Sequence, residues 1–401
     1  MKRMPTLLLA LTLLMGLATP AFPPVHLWGP GVAAAAAPET RLMRYPDISK
    51  DHVVFVYAGD LWISPRAGGP ARQLTTHPGD ELFPKFSPDG KWIAFTGEYD
   101  GNADVYMIPA EGGEPRRLTF HPERDQVLGW TPDSKKILFR SARASAPPDF
   151  SRLFLISPEG GMPEMLPVPR ASLTSFSPDG QRIAYTSTSQ EFRTWKRYRG
   201  GWSPPIGIYD LKKNIYEELP RTSGMDMFPM WHGNAIYFIS DRDGVMNLYR
   251  YDLSSKQTRK LTHYKEYDIK WPNLGPDAIV YENGGLLYAL DLATEKISHI
   301  PVTVATDAIA ARPEIKSVAD RIRIFGLSPT GVRAVFEARG EIFTLPVEHG
   351  SARNLTESPG VHELNPRWSP DGKWIAYLSD RTGEYEFYLR PQKGEIGRAH
   401  V

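Results

Sequence analysis

Apolar positions in the stretch 83–119 come in short runs that keep no helical period. In the run 91–96, Trp92 and Ala94 alternate with Ile93 and Phe95, so a strand there is apolar on both faces. An antiparallel strand ordinarily shows one face to water, and burial of both faces implies sheets stacked on similar sheets. Ser87-Pro88-Asp89-Gly90 precedes the run. Pro88 presets φ, Asp89 bonds local backbone and Gly90 accepts φ > 0, so the tetrapeptide predicts a turn joining two strands. A third strand is expected at 104–109; Gly112-Gly113 then turns the chain into a short fourth strand ending Arg117-Leu118-Thr119.

Degraded copies of this unit recur from near residue 44 to near residue 390. The turn positions Ser87, Thr131 and Ser177 lie 44 and 46 residues apart, close to the repeat of a four-stranded propeller blade. Copies are marked by Arg44-Tyr45-Pro46-Asp47-Ile48, Phe83, Trp130, Phe176, Phe228-Pro229-Met230-Trp231 and Ile269-Lys270-Trp271-Pro272. The grammar lapses after Val302 and restarts at Ile322, with Leu327-Ser328-Pro329-Thr330-Gly331 and, 41 residues on, Trp368-Ser369-Pro370-Asp371-Gly372. The expected fold is all-β: a six-bladed β-propeller over 38–302, a connector at 303–321, and the first two blades of a second, truncated propeller at 322–394. Each of the first six blades is expected to supply its own four strands, so that no blade is shared in closing the ring.

The ends read differently. Lys2 and Arg3 precede an apolar run at 7–17, and small residues cluster at 18–21 and 33–37. This predicts a secretory signal over 1–37 and an exported, periplasmic protein. The run is shorter than the ~20 residues of a span and is followed by Pro20, Pro23 and Pro24, so no stable membrane span is expected. Residues 395–401 back-translate to a sequence resembling a sequencing adapter and are expected to be an artefactual tail. A net charge of +1 gives no electrostatic reason to expect nucleic acid as a partner. The absence of cysteine excludes disulfides, thiol nucleophiles and thiolate metal sites.

The turn, Gly-Gly and Leu-Thr grammar is shared by the propellers of TolB and of prolyl oligopeptidases. A sharper signal lies in an insertion at 187–205 of the fourth blade. Its Trp195-Lys196-Arg197-Tyr198-Arg199-Gly200-Gly201, with Pro46-Asp47-Ile48 and Asp60-Leu61-Trp62, closely resembles the N-terminal region of tricorn proteases. The resemblance covers about residues 40–394. It implies a six-bladed propeller followed by a seven-bladed one, then helical, PDZ and serine-peptidase regions. It further implies a homo-oligomeric enzyme that degrades oligopeptides, with propellers as gated channels to and from a Ser-His-Ser-Glu site. This chain carries no Gly-x-Ser-x-Gly elbow, His-Glu-x-x-His helix or phosphate loop. No catalytic residue, metal or cofactor is therefore expected here, and the expected partners are peptides, the protein's own catalytic domains and further copies of the chain. Members of that family are cytosolic, whereas the leader pattern predicts export. The alternative is a TolB-like periplasmic propeller that serves as a non-enzymatic protein-binding scaffold.

Candidate binding residues sit in loops. The insertion carries Arg193, Lys196, Arg197 and Arg199 among aromatics, a mixture suited to stacking bases, clamping a peptide carboxylate or packing against another domain. In the resembled family a basic pair in the loop entering blade three holds the substrate C-terminus; here that loop offers Arg124, with His121 nearby. His77, His121 and His263 each follow a Leu-Thr, and a repeated loop residue bonding backbone accounts for them better than a metal ring. Asp47, Asp89, Asp133, Asp179 and Asp371 are expected to be turn formers.

Overall fold

The computed structural model describes residues 39–145, 150–192, 196–307 and 314–393. These fall into two compact units divided after Asp307. Among the described residues the regular structure is strand, apart from one 3-10 turn at Ala319–Arg321.

In the first unit six antiparallel sheets follow one another along the chain, each built from four consecutive strands. The reference sheet contains Glu81–Phe86, Trp92–Gly97, Asp104–Pro109 and Arg116–Arg117, paired in that order. Its turn forms as its chemistry dictates. Ser87 Oγ donates to Asp89 Oδ1 at 2.5 Å, Trp92 N–H donates to Ser87 Oγ at 3.0 Å, and Gly90 has φ +73°. The same contacts recur at Ser177 with Asp179 and at Ser369 with Asp371, and Thr131 replaces serine in the third sheet.

Doubly apolar strands bury their faces in seams between successive sheets. Val54, Val56, Leu61 and Ile63 of the first sheet meet Ile93, Phe95, Tyr106 and Ile108 of the second. Comparable seams join the second sheet to the third, the third to the fourth, the fourth to the fifth and the fifth to the sixth. A further seam sets Met43, Val53, Phe55 and Trp62 of the first sheet against Ala278, Val280 and Leu287 of the sixth, which closes the circuit. First strands pack around the axis in the same cyclic order, with Arg44–Ile48 touching both Glu81–Phe86 and Lys270–Leu274.

Closure departs from the sequence-based expectation. Val302–Val304 adds to the outer edge of the first sheet, parallel to its fourth strand, pairing Val302 with Gly69 and Val304 with Ala71. Gly69 N–H donates to Pro301 O at 2.7 Å, and Val302 is fully buried in the closing seam. A sheet with four strands of its own thus takes a fifth from the far end of the unit. Two valines around a threonine carry too little pattern to mark such a strand, and its pairing is set by the ring itself.

The second unit holds a four-stranded sheet, Ile322–Leu327, Arg333–Ala338, Glu341–Pro346 and Arg353–Asn354, and a three-stranded one, Glu363–Trp368, Trp374–Ser379 and Glu386–Pro391. They share a seam of Val335, Ile342, Leu355, Ile375, Tyr377 and Tyr388.

Candidate functional site

First strands line the ring's axis, and each of four carries an aromatic residue immediately before a proline: Tyr45, Phe83, Phe228 and Trp271. All four have positive φ, between 47° and 55°, where the strand slips one register against its neighbour. This conformation is costly for a residue with a Cβ and is held here by the surrounding sheets. Its effect is to turn each ring toward the axis. Tyr45 lies 4.6 Å from both Phe83 and Trp271, and Trp271 lies 5.4 Å from Phe83 and 5.3 Å from Phe228, between ring centroids. In the third sheet the corresponding residues are Val127 and Leu128. The side left open by these smaller residues is approached by Phe192 of the insertion, 5.2 Å from Trp271 and 6.0 Å from Phe83.

Topology assigns these groups to faces. The insertion follows the second strand of the fourth sheet, Arg182–Tyr185, and therefore projects from the face that carries the connections between sheets. The Ser-Pro-Asp-Gly turns lie on the opposite face. From that face a cavity of ≈ 1340 Å³ descends to Tyr45, Phe83, Phe228 and Trp271, so these four rings stand between cavity and insertion.

Residues just after the prolines form the cavity wall: Asp47, Lys85, Met230 and Asn273, with Gly129 and Ser175 at matching positions of the third and fourth sheets. Asp47 is buried, and its Oδ2 accepts Phe86 N–H at 2.7 Å across the seam between sheets. Burial pushes its carboxyl up to about 6, opposed chiefly by the charge of Lys85. Burial likewise pulls the Lys85 ammonium down to about 8, with Asp47 opposing. Lys85 Nζ donates to Asn273 Oδ1, and Asn273 Nδ2 donates to Pro46 O at 2.6 Å, which fixes the amide's orientation. Gly129 leaves this part of the wall bare, with nothing within 4 Å of where a Cβ would stand. The arrangement is a funnel with an aromatic floor and an interacting cation and anion, Lys85 and Asp47, on its wall, and its lining also includes Lys50, Asp51, Arg72, Asp89, Lys91 and Glu111; it is suited to holding an extended chain with both apolar and charged groups.

Asp47 is thus not a turn former. It lies within a strand, and the adjoining turn is made by Ser49, whose Oγ accepts His52 N–H at 3.0 Å. Asp89, Asp133, Asp179 and Asp371 do bond the turn's Ser or Thr hydroxyl, which holds their carboxyls below the usual range. Of the basic candidates, Lys196 Nζ meets Asp268 Oδ2 at 2.6 Å and Arg199 Nη1 meets Asp241 Oδ1 at 3.1 Å. Arg197 donates its backbone N–H to Asp241 Oδ2 at 3.0 Å and its Nε–H to Gly244 O at 3.1 Å. The structure gathers these three on the fifth and sixth sheets, where they fasten the insertion. Arg124 lies apart, paired with Glu98, and Arg193 falls outside the described residues. His77 and His121 accept backbone N–H bonds from Gly79 at 2.9 Å and Glu123 at 3.1 Å, as repeated loop residues do. Among the described residues no group of three His, Asp or Glu side chains converges as a metal site. Sequence reasoning missed Lys85 and Asn273; the signal available was the position after each aromatic-proline pair.

Residues 40–296 match the family described as the tricorn protease N-terminal beta propeller domain. The chain is 30% identical over 354 residues to tricorn protease homolog 2 of Streptomyces coelicolor, covering 85% of this chain and 30% of that protein. It is 25% identical over 337 residues to the tricorn protease homolog of Saccharolobus solfataricus, covering 82% of this chain and 31% of the other. It thus spans about a third of the length of these relatives. A crystal structure of the tricorn protease superposes with a TM-score of 0.62 at 21% identity, covering 90% of this chain and 44% of that one, a likeness of fold.

Proposed function

Because the chain belongs to the tricorn protease family, we propose that it is the N-terminal, substrate-gating propeller region of a serine peptidase that degrades oligopeptides. In this reading the six sheets are one complete six-bladed ring, and the second unit is the first two blades of a seven-bladed ring. Peptide hydrolysis belongs to parts of the protein outside these 401 residues, which assemble with further copies of the chain. In this reading the protein is exported to the periplasm, which the leader pattern at 1–37, outside the described residues, supports.

One observation carries the gating role: a cavity of ≈ 1340 Å³ along the ring's axis ends on four aromatic rings contributed by four sheets, two of which, Phe83 and Trp271, also pack on Phe192 of the insertion. A peptide entering it is desolvated along its apolar side chains, and passage requires the rings to part. Lys196, Arg197 and Arg199 serve this function by holding the insertion over the rings, and they contact peptides only when their acidic partners release them. Arg124 stands on the same face as a second candidate contact.

Gly129→Phe tests the reading, because Gly129 lines the cavity and nothing lies within 4 Å of where its Cβ would stand. In the whole protein, this variant is expected to slow turnover of oligopeptides severalfold. The reaction of its serine nucleophile with a small fluorophosphonate should stay unchanged. Peptide turnover at the wild-type rate in a folded Gly129→Phe protein would rule out passage through this ring.

A further inference from the structure

The second unit holds a cavity of its own, ≈ 460 Å³, bounded by the start of its first strand, the Arg339-Gly340 hairpin and His362. Three arginines line it. The register slips between Ile322 and Ile324, which leaves Arg323 without a partner on the neighbouring strand, and Arg321 ends the 3-10 turn just before it. Arg339 has φ +54° and Gly340 φ +78°, a two-residue turn that favours Asn, Asp or Gly at its first position. The corresponding turn is Ala58-Gly59 in the first sheet and Gly284-Gly285 in the sixth, so turn geometry gives no reason for an arginine. Among the described residues none of the three guanidiniums makes a hydrogen bond or an ion pair; Arg339 lies in the field of Glu314, whose carboxylate is held by Lys316 at 2.5 Å. Of the cavity's two carboxylates, Glu337 is buried with its Oε2 accepting Asn365 N–H at 3.0 Å, and Asp320 is exposed to water. His362 sets its Nδ1 2.7 Å from the Tyr385 hydroxyl, which leaves Nε2 for another partner.

We propose that this cavity is a binding site for a small oligophosphate, with Arg321, Arg323 and Arg339 as its cationic wall. A guanidinium presents its N–H groups as a planar fork matched to two oxygens of one anion. A lone carboxylate has two oxygens and satisfies one such fork, whereas linked phosphate groups offer oxygens on several sides and can meet three. The volume agrees, since ≈ 460 Å³ is far more than one carboxylate fills. The opposing charge of Asp320 is screened by water, and that of Glu337 is committed to Asn365. Binding also gives the left-handed Arg339 a use that offsets its unfavourable backbone. The inference concerns the second unit alone and does not depend on peptide passage through the first.

The test is calorimetric titration of this chain with pyrophosphate at fixed ionic strength, with inorganic phosphate and the peptide Glu-Glu-Glu as comparison ligands. The expected result is that pyrophosphate binds at least about tenfold more tightly than either, and that Arg339→Asn weakens it by about tenfold or more. Asparagine suits the turn better than arginine, so the same variant should unfold at no lower urea concentration than wild type. Lost binding with stability kept or raised is the signature of an arginine that contacts ligand, and a merely structural arginine would not give it. Absence of pyrophosphate binding by wild type would overturn the proposal. So would inorganic phosphate or Glu-Glu-Glu binding as tightly as pyrophosphate, the latter marking a site for acidic peptides. An Arg339→Asn chain that binds pyrophosphate as wild type does would overturn it too. Should that variant unfold earlier than wild type, Arg323→Gln replaces it under the same binding criteria.

Discussion

Glu81 opens the first strand of the second sheet with no exposed surface, and its Oε2 accepts the Thr75 hydroxyl at 2.5 Å. Its other oxygen is buried, and the Tyr99 hydroxyl, with Thr75, opposes the effect of burial. Burial raises its carboxyl from 4.5 to about 7. The folded state therefore binds this proton more tightly than the unfolded chain. That stability is fully present below pH 4.5 and is lost as pH rises through about 7. Asp47 and Glu282 are shifted the same way by burial, to about 6 and about 7, so the molecule's stability should fall across this window. Glu81→Gln removes one titration. It should match wild type most closely near pH 4.5 and gain on it by about 1 to 3 kcal/mol at pH 8 in urea unfolding. Parallel pH profiles for the two proteins would show that Glu81 is not the group responsible. Legibility at this scale follows the range of the interaction. Asp89 was readable as a turn former because Ser87 and Lys91 bond it locally. Asp47 was misread because what defines it is Phe86, on the next sheet.

The recurring element is a first strand with an aromatic-proline slip, and it joins local strain to the closure of the axis. At Trp271 the backbone takes φ +47°, and the ring packs on Tyr45, Phe83, Phe192 and Phe228. Cutting the side chain back to alanine should cost about 3 to 5 kcal/mol through lost burial and the cavity left behind. Alanine keeps the Cβ that makes positive φ unfavourable, whereas glycine does not, so Trp271→Gly should be about 1 kcal/mol more stable than Trp271→Ala. In an ordinary strand the order is the reverse. Urea denaturation of both variants reads the difference, and a less stable glycine variant would mean the slip is not strained. The strands and turns of each sheet were legible because period-two patterning and turn chemistry are contained within about forty residues. The slip was not, since nothing adjacent to Trp271 shows that three other strands bring rings to the same axis. Asp241 teaches the same point for the insertion. It gathers Met225, Arg197 and Arg199 from across the unit, so cations that read as free in sequence are partnered in space.

For the whole molecule the contrast lies between a unit whose seams close on themselves and one with a single seam. In the first, every sheet is covered on both faces, and Val302–Val304 clips the last sheet's exit onto the first. Loss of any one seam opens the circuit, which makes the six sheets cooperative. In the second, the shared face is buried while the outer faces leave Phe325 73%, Leu327 65% and Phe387 69% exposed. Burial contributes about 25 cal/mol per Å², against ~1 to 2 kcal/mol of entropy for each residue ordered, so one seam gives two sheets little margin. At the start of the second unit, ahead of its first strand, Ile315 is fully exposed, and Lys316 and Arg321 lie on the surface within a stretch whose described regular structure is a single 3-10 turn. Trypsin should therefore cut first after Lys316 or Arg321, leaving a resistant fragment that retains the Val302–Val304 strand. The released second part should be digested further, at a rate set by its own opening. Mass spectrometry of a timed digest identifies both products. The division is wrong if the earliest stable fragment runs through Arg390 uncut, and the clasp is wrong if cleavage on the amino side of Val302 precedes cleavage after Lys316.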